Sequence, residues 1–292
     1  MTGFVILTCA IVLIRGLRKG IERASKWIVP NLFIILVILI IRSVTLSGSG
    51  EGIRWYIGGF RFGELKPSVM AAAMGMAFFS MSLGGTFMVI YGSYLGAEAN
   101  IPKNAVFTGI GALTAGLLAG FAIFPAVFAF HLEPASGPGL IFSTLPKTFN
   151  MMPAGWVFGL LFFGGLFGAA YLSDVAAFEV LVGGMVDNTN ILRKRAVMLC
   201  CCTIFVLAIP PMINYKIFVP WDLIFGSGMQ VLGSFFAVIT MAWCIKRSES
   251  LKEISRGTET PFPPFLYWWL RVVIPAAILF VGMNWLVESI FH

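Results

Sequence analysis

Charge is scarce in this chain. Of its 292 residues only 11% are Asp, Glu, Lys or Arg, against 59% hydrophobic, and the mean hydropathy is +0.92. A soluble globular domain carries about a quarter of its residues as charges, so that class is excluded and several membrane helices are indicated. Histidine is scarcer still, with only His131 and His292. Both lie far in sequence from Asp174 and Glu179, and no nucleophile–base spacing occurs, so an enzyme is not expected. The cysteines are Cys9, Cys200, Cys201, Cys202 and Cys244, all inside apolar segments. No His or acid stands at ligand spacing from them, which argues against zinc or a disulfide framework; no cofactor is expected. The "CCC" run reads as small side chains facing lipid or core.

What is present is apolar sequence in membrane-length pieces. At about 20 residues per crossing, spans fall near 2–14, 27–48, 68–95, 104–131, 154–186, 196–214, 221–245 and 264–290. The first is too short to cross. It is no signal peptide either, because the basic cluster "RGLRKGIERASK" follows it instead of preceding it. The chain is therefore expected to begin partway through a helix.

The net charge of +7 would suit nucleic acid, but Lys and Arg gather at span ends, which is a topology signal. The loops 15–26, 96–103, 187–195 and 246–263 hold thirteen of them, whereas 49–67, 132–153 and 215–220 hold Arg54, Arg61, Lys66, Lys147 and Lys216. The first set is expected to be cytoplasmic, which puts the C-terminus outside. The expected partner is the lipid bilayer of the cell membrane, crossed several times, and not nucleic acid.

One span carries polar and helix-weakening residues at its centre. In "MAAAMGMAFFSMSLGGTFMVIYGSY", Ser80 and Ser82 flank Met81 and Gly84–Gly85 follow. Glycine alone is common in membrane helices and lets a neighbour pack closely. If the helix unwinds over 80–85, however, freed carbonyls and hydroxyls become ligands at membrane depth. Such backbone is tolerated only where it is buried in protein or lines a cavity.

The segments "GIERASKWIVP", "AFFSMSLGGT", "YGSYL", "GFAIFPAVFAF" and "EPASGPGLIFSTLP" resemble, in order and spacing, the neurotransmitter:sodium symporter family, including its bacterial amino-acid transporters. The resemblance covers essentially the whole chain. It implies an all-α membrane protein with the leucine-transporter-like inverted-repeat helical bundle, in part: helices four (partial) to eleven, with no counterpart of the first three. Residues 1–292 would form a single transmembrane domain. In it 1–48 end the first repeat, 49–245 form the second with the broken helix at 80–85, and 246–292 make a cytoplasmic loop and the last helix.

The resemblance also implies roles. Phe79 would lid the pocket, Ser80 would offer oxygens to the substrate amine and a sodium ion, and Ser82 and Gly85 would face substrate. Ala169, by its carbonyl, and Ser173, by its hydroxyl, would hold a second sodium, with Ser173 and Ala177 bordering the substrate. Asp222 would serve the outer gate, although an interfacial Asp also caps a helix. Gly20 and Pro30, with nine residues between them, would form a hinge together with Gly84; proline near a helix start is also ordinary.

Departures qualify these expectations. Leu172 stands where relatives place Thr or Asp, and Asp174 is about 200° further round the helix, so it is no replacement. An acid inside a span is nonetheless a functional candidate. Met76 replaces a common glutamine. Ala112 and Gly116 stand where relatives carry polar ligands, and neither offers a side-chain oxygen to a hard cation. A weakened first sodium site and no chloride site are expected. The leading function is sodium-coupled symport of an amino acid or related small zwitterion, bulky and apolar because Gly85 and Ala177 are cut back. The alternative is a non-transporting relative acting as a membrane scaffold or sensor. The changes at 76, 112, 116 and 172 favour it, while Phe79, Ser80, Ser82 and Ser173 oppose it.

Overall fold

The computed structural model describes residues 2–15, 21–59, 62–83, 87–96, 98–134, 137–221, 225, 229–258 and 263–291, and among these there is no strand. Gly20, Gly84, Gly85 and Asp222 lie outside the described residues. Helix is the expected answer to hydrocarbon, where each backbone N–H and C=O must be satisfied within its own segment. Among the described residues five helices are long and apolar enough to cross: α2 (Glu22–Val44), α6 (Ile101–Ala129), α8 (Gly155–Asn188), α9 (Arg193–Ile213) and the stretch Pro264–Asn284, or six if the bent pair Val231–Cys244 and Arg247–Ile254 is one span. Shorter apolar helices are α1 (Thr2–Ile14) and α4 (Pro67–Ser80). The chain divides into two compact units, Met1–Phe62 with Leu113–Glu179, and Gly63–Ala112 with Val180–His292.

In the first unit, two segments expected as loops are folded. Residues 49–67 contain α3 (Ser49–Gly58), and 132–153 contain a π-helical turn, Leu140–Thr144, leading into α7 (Leu145–Met151). Both segments are tied to the end of α6. The core here is Ala126, Val127, Leu145, Phe149 and Met152, with Leu46, Phe130 and Leu132 packed on it. α3 approaches α6 through Gly52: a β-carbon there would sit 2.6 Å from the Phe124 carbonyl oxygen and 2.7 Å from the Pro125 Cα. One turn on, Trp55 lies against Phe124 and Phe128, with ring centroids 4.8 and 5.4 Å away. α6 closes with His131 at φ 54°. The N–H of His131 donates to the Phe128 carbonyl (2.9 Å), and that of Leu132 to the Val127 carbonyl (3.2 Å). That pair of bonds is a Schellman cap, so His131 has a local structural task.

The second unit continues α9 into α10 (Tyr215–Trp221) and α11 (Met229–Ile239). α11 runs into a π turn, Thr240–Cys244, before the chain bends by 120° into α12 (Arg247–Ile254). The bend falls where the apolar sequence gives way to "KRSESLKEI", and Ser250 Oγ donates to the Met241 carbonyl across it (2.7 Å). The last segment is α13 (Pro264–Trp268), a π turn at Trp269–Val273, and α14 (Ile274–Phe291). Two loops of the basic set meet here. Asn100 Nδ2 donates to the Gly257 carbonyl (2.6 Å), Ile101 N–H to the Arg256 carbonyl (3.1 Å), and Arg256 Nη2 to the Gly96 carbonyl (2.9 Å).

Gly52→Ala should force α3 and α6 apart, because the nearest atoms are backbone and cannot swing away. We expect a loss of about 1–3 kcal/mol, read as a lower melting midpoint in detergent. Gly50→Ala has nothing within 4 Å of the new carbon and should leave the midpoint unchanged or slightly raised. Equal behaviour of the two variants would contradict the close approach.

Candidate functional site

The second unit holds the break. α4 stops at Ser80, residues 81–83 are not helical, and the next described helix is α5 (Phe87–Ser93). Its end is a Schellman cap: Leu83 N–H donates to the Phe78 carbonyl (3.1 Å) and Ser82 N–H to the Phe79 carbonyl (3.0 Å), with Ser82 at φ 51°. Glycine is the ordinary residue at such a position, because a β-carbon in the left-handed region costs roughly 1–2 kcal/mol. The cap uses the carbonyls of Phe78 and Phe79. Those of Ser80 and Met81 come next, and their i+4 partners would be Gly84 and Gly85, outside the described residues. Phe79 and Ser80 are exposed and Ser82 is half-buried. Met81 points its methyl toward Gly109 of α6.

The first unit holds the segment of α8 that carries Ala169, Ser173 and Ala177. Ser173 is exposed, the two alanines are half-buried, and the Ser173 hydroxyl donates to the Ala169 carbonyl at 3.2 Å. The two oxygens expected to hold a sodium are therefore neighbours on one turn. Val175, Phe178 and Glu179 form the buried face of this part of α8, with Glu179 fully buried. Asp174 lies on the exposed stripe that includes Leu160, Phe167 and Leu181, each seven residues from the next. Leu172 is half-buried.

Pro30 is not at a helix start. α2 begins at Glu22, five residues earlier than hydropathy suggests, so Pro30 is interior and exposed. Its missing N–H leaves the Lys26 carbonyl without the usual partner, a local weakness compatible with a hinge. The charged turn "ERASK" extends the helix beyond the apolar run, and hydropathy does not register it. The cap at 78–83 escaped sequence reasoning for a related reason: no glycine marks its left-handed position.

Several helices long and apolar enough to cross, together with a short apolar helix that ends in a left-handed serine cap, are features that secondary transporters share. The sequence matches the Sodium:neurotransmitter symporter family over residues 1–290, and the chain belongs to that family, one of transporters and not of enzymes. It is 33% identical to the uncharacterized sodium-dependent transporter YhdH of Bacillus subtilis, over 96% of this chain and 65% of that protein. It is also 33% identical to an uncharacterized sodium-dependent transporter of Haemophilus influenzae, over 94% and 62%. The chain thus spans just under two thirds of the length of these relatives. Among solved structures, MhsT in complex with L-phenylalanine matches with a TM-score of 0.83 and 32% identity, over 96% of this chain and 66% of that one. The fold is therefore the leucine-transporter-like helical fold, in a membrane protein.

The strained cap gives a direct test. Ser82→Gly should raise thermal stability by about 1 kcal/mol, since the left-handed residue is relieved of its β-carbon. Ser82→Val should lower it, because β-branched residues tolerate that conformation worst. Melting followed by size-exclusion fluorescence would show this. A Gly variant less stable than the native chain would contradict the cap.

Proposed function

We propose that this chain acts in a sodium-coupled symporter for an amino acid or related small zwitterion with a bulky, apolar side chain, located in the cell membrane. The observation that carries the proposal is the end of α4. There an apolar helix stops at Ser80 and turns through Ser82, with the Ser80 and Met81 carbonyls next in line after the cap. Carbonyl and hydroxyl oxygens are what a hard cation requires, and the negative end of a helix dipole favours positive charge. In this proposal Ser80 serves the amine and a sodium ion, Phe79 lids the substrate, and Ser82 contacts it. Ala169 and Ser173 supply a carbonyl and a hydroxyl to sodium, a cation taking up the oxygens now joined by their hydrogen bond. Asp222 serves the outer gate, and Gly20, Pro30 and Gly84 the hinge. Gly85 and Ala177 leave room for a large side chain. MhsT, solved with L-phenylalanine, supports that substrate class. Ala112 and Gly116 carry no hydrogen-bonding side chain, so chloride is given no role.

Binding of tritiated phenylalanine to membranes from cells expressing the gene at its own locus tests this. We expect binding to vanish when choline replaces sodium and to be unchanged when gluconate replaces chloride. Ser173→Ala should raise the sodium concentration for half-saturation about tenfold or more, the effect of losing a bond to a charged partner worth about 1.5–3 kcal/mol. Binding indifferent to sodium would sink the proposal and favour the scaffold or sensor alternative. Ala177→Ile should shift preference toward alanine, since each methylene excluded costs the larger ligand about 0.8 kcal/mol, or roughly fourfold. Unchanged selectivity would remove Ala177 from the pocket.

A further inference from the structure

Arg271 belongs to the π turn Trp269–Val273, inside an apolar stretch long enough to cross the membrane. Its guanidinium lies 4.4 Å from the centroid of Trp243, and the Trp243 indole N–H donates back to the Arg271 carbonyl at 3.2 Å. A second pair repeats the motif beside it. The Arg247 guanidinium lies 5.3 Å from the centroid of Tyr267, whose hydroxyl donates to the Ala242 carbonyl at 2.9 Å. Trp243 and Arg247 are four residues apart, as are Tyr267 and Arg271. Two arginines thus bracket the corner where the Thr240–Cys244 and Trp269–Val273 turns pack together.

Both arginines are exposed, and among the described residues neither has a carboxylate within 4.0 Å. Arg256 differs, being paired with Glu253 at 2.8 Å. Stacking on a ring fixes the plane of a guanidinium, and its fork of N–H donors matches the oxygens of a phosphate. Lys246 is exposed beside Arg247. The surroundings set the depth. Trp243, Trp268 and Trp269 are exposed, as indoles are at the headgroup level of a bilayer, while Val272, Leu279 and Phe280 continue an exposed apolar surface along the same helix.

We propose that Arg247 and Arg271 form a binding site for the phosphate of an anionic phospholipid, whose acyl chains lie along that apolar surface. A lipid is the occupant that meets both features at once: exposed cations with no carboxylate partner among the described residues, at the basic end of the span, and an apolar track leading away from them. This site is independent of the transport proposal.

Native mass spectrometry of the detergent-purified chain tests it, with palmitoyl-oleoyl phosphatidylglycerol or phosphatidylcholine added. We expect phosphatidylglycerol to be retained about tenfold or more in preference. The double variant Arg247→Gln/Arg271→Gln should weaken phosphatidylglycerol binding about 25-fold, roughly fivefold for each arginine, with phosphatidylcholine unaffected. Lys194→Gln, in a different basic loop, should change neither. Equal retention of the two lipids by the native chain would overturn the site, and so would an unaltered affinity in the double variant. Displacement of phosphatidylglycerol by inorganic phosphate would also overturn it, by marking a soluble-anion site. The native-chain comparison needs no substitution, so a variant that fails to fold does not remove the test.

Discussion

A peptide group in hydrocarbon has no water to fall back on, and leaving one unsatisfied costs several kcal/mol. The described helix ends show that constraint at work. At the end of α4 the Schellman cap closes two carbonyls at the expense of a left-handed serine. Roughly 1–2 kcal/mol of conformational strain is smaller than the desolvation of two orphaned groups, so the cap wins. α6 ends in the same way at His131, where the adjoining segment folds back onto a packed apolar core. What distinguishes the α4 end is its place in the sequence, inside an apolar stretch in which the next described helix is α5. In the proposed function the oxygens next after the cap, those of Ser80 and Met81, are the ones offered to a ligand.

The π turns answer the same constraint differently. The five-residue stretches Leu140–Thr144, Thr240–Cys244 and Trp269–Val273 keep their backbone bonded while changing which face of the helix points where. In the second unit two of them pack against each other, which lets Trp243 and Tyr267 each reach a carbonyl of the facing segment. Ordinary α geometry spaces side chains at 3.6 residues per turn; the wider turns add the offset that carries Arg271 onto Trp243.

Hydropathy and charge made the crossings legible. Runs such as "LFIILVILII" and "FGLLFFGGLFGAAYL" have no other economical solution, and α8 and α9 fall within a few residues of their expected limits. The family was legible as well, because several motifs occur in order. Less legible were features that depend on tertiary contact. α3 and α7 are short helices held by Gly52, Trp55 and a shared core, and their sequences alone read as loop. The left-handed Ser82 carries no glycine to announce it. The partners of Arg247 and Arg271 lie on separate segments, so spacing along the chain does not disclose them. Of the candidate site, Ser173 and Ala169 could be paired from the sequence as i and i+4. The depth at which α4 ends could only be bracketed by Ser80 and Gly85.

The role proposed for Ser80 turns on whether the carbonyls next after the α4 cap, those of Ser80 and its neighbour Met81, respond to sodium. Carbonyl-carbon NMR of the chain labelled at Phe78, Phe79, Ser80 and Met81, in lipid, is the most direct measurement. The account predicts that their resonances shift when sodium chloride is added with phenylalanine and do not shift with potassium chloride, while Phe78 and Phe79, already used by the cap, stay in place. Identical Ser80 and Met81 spectra in the two salts would contradict it.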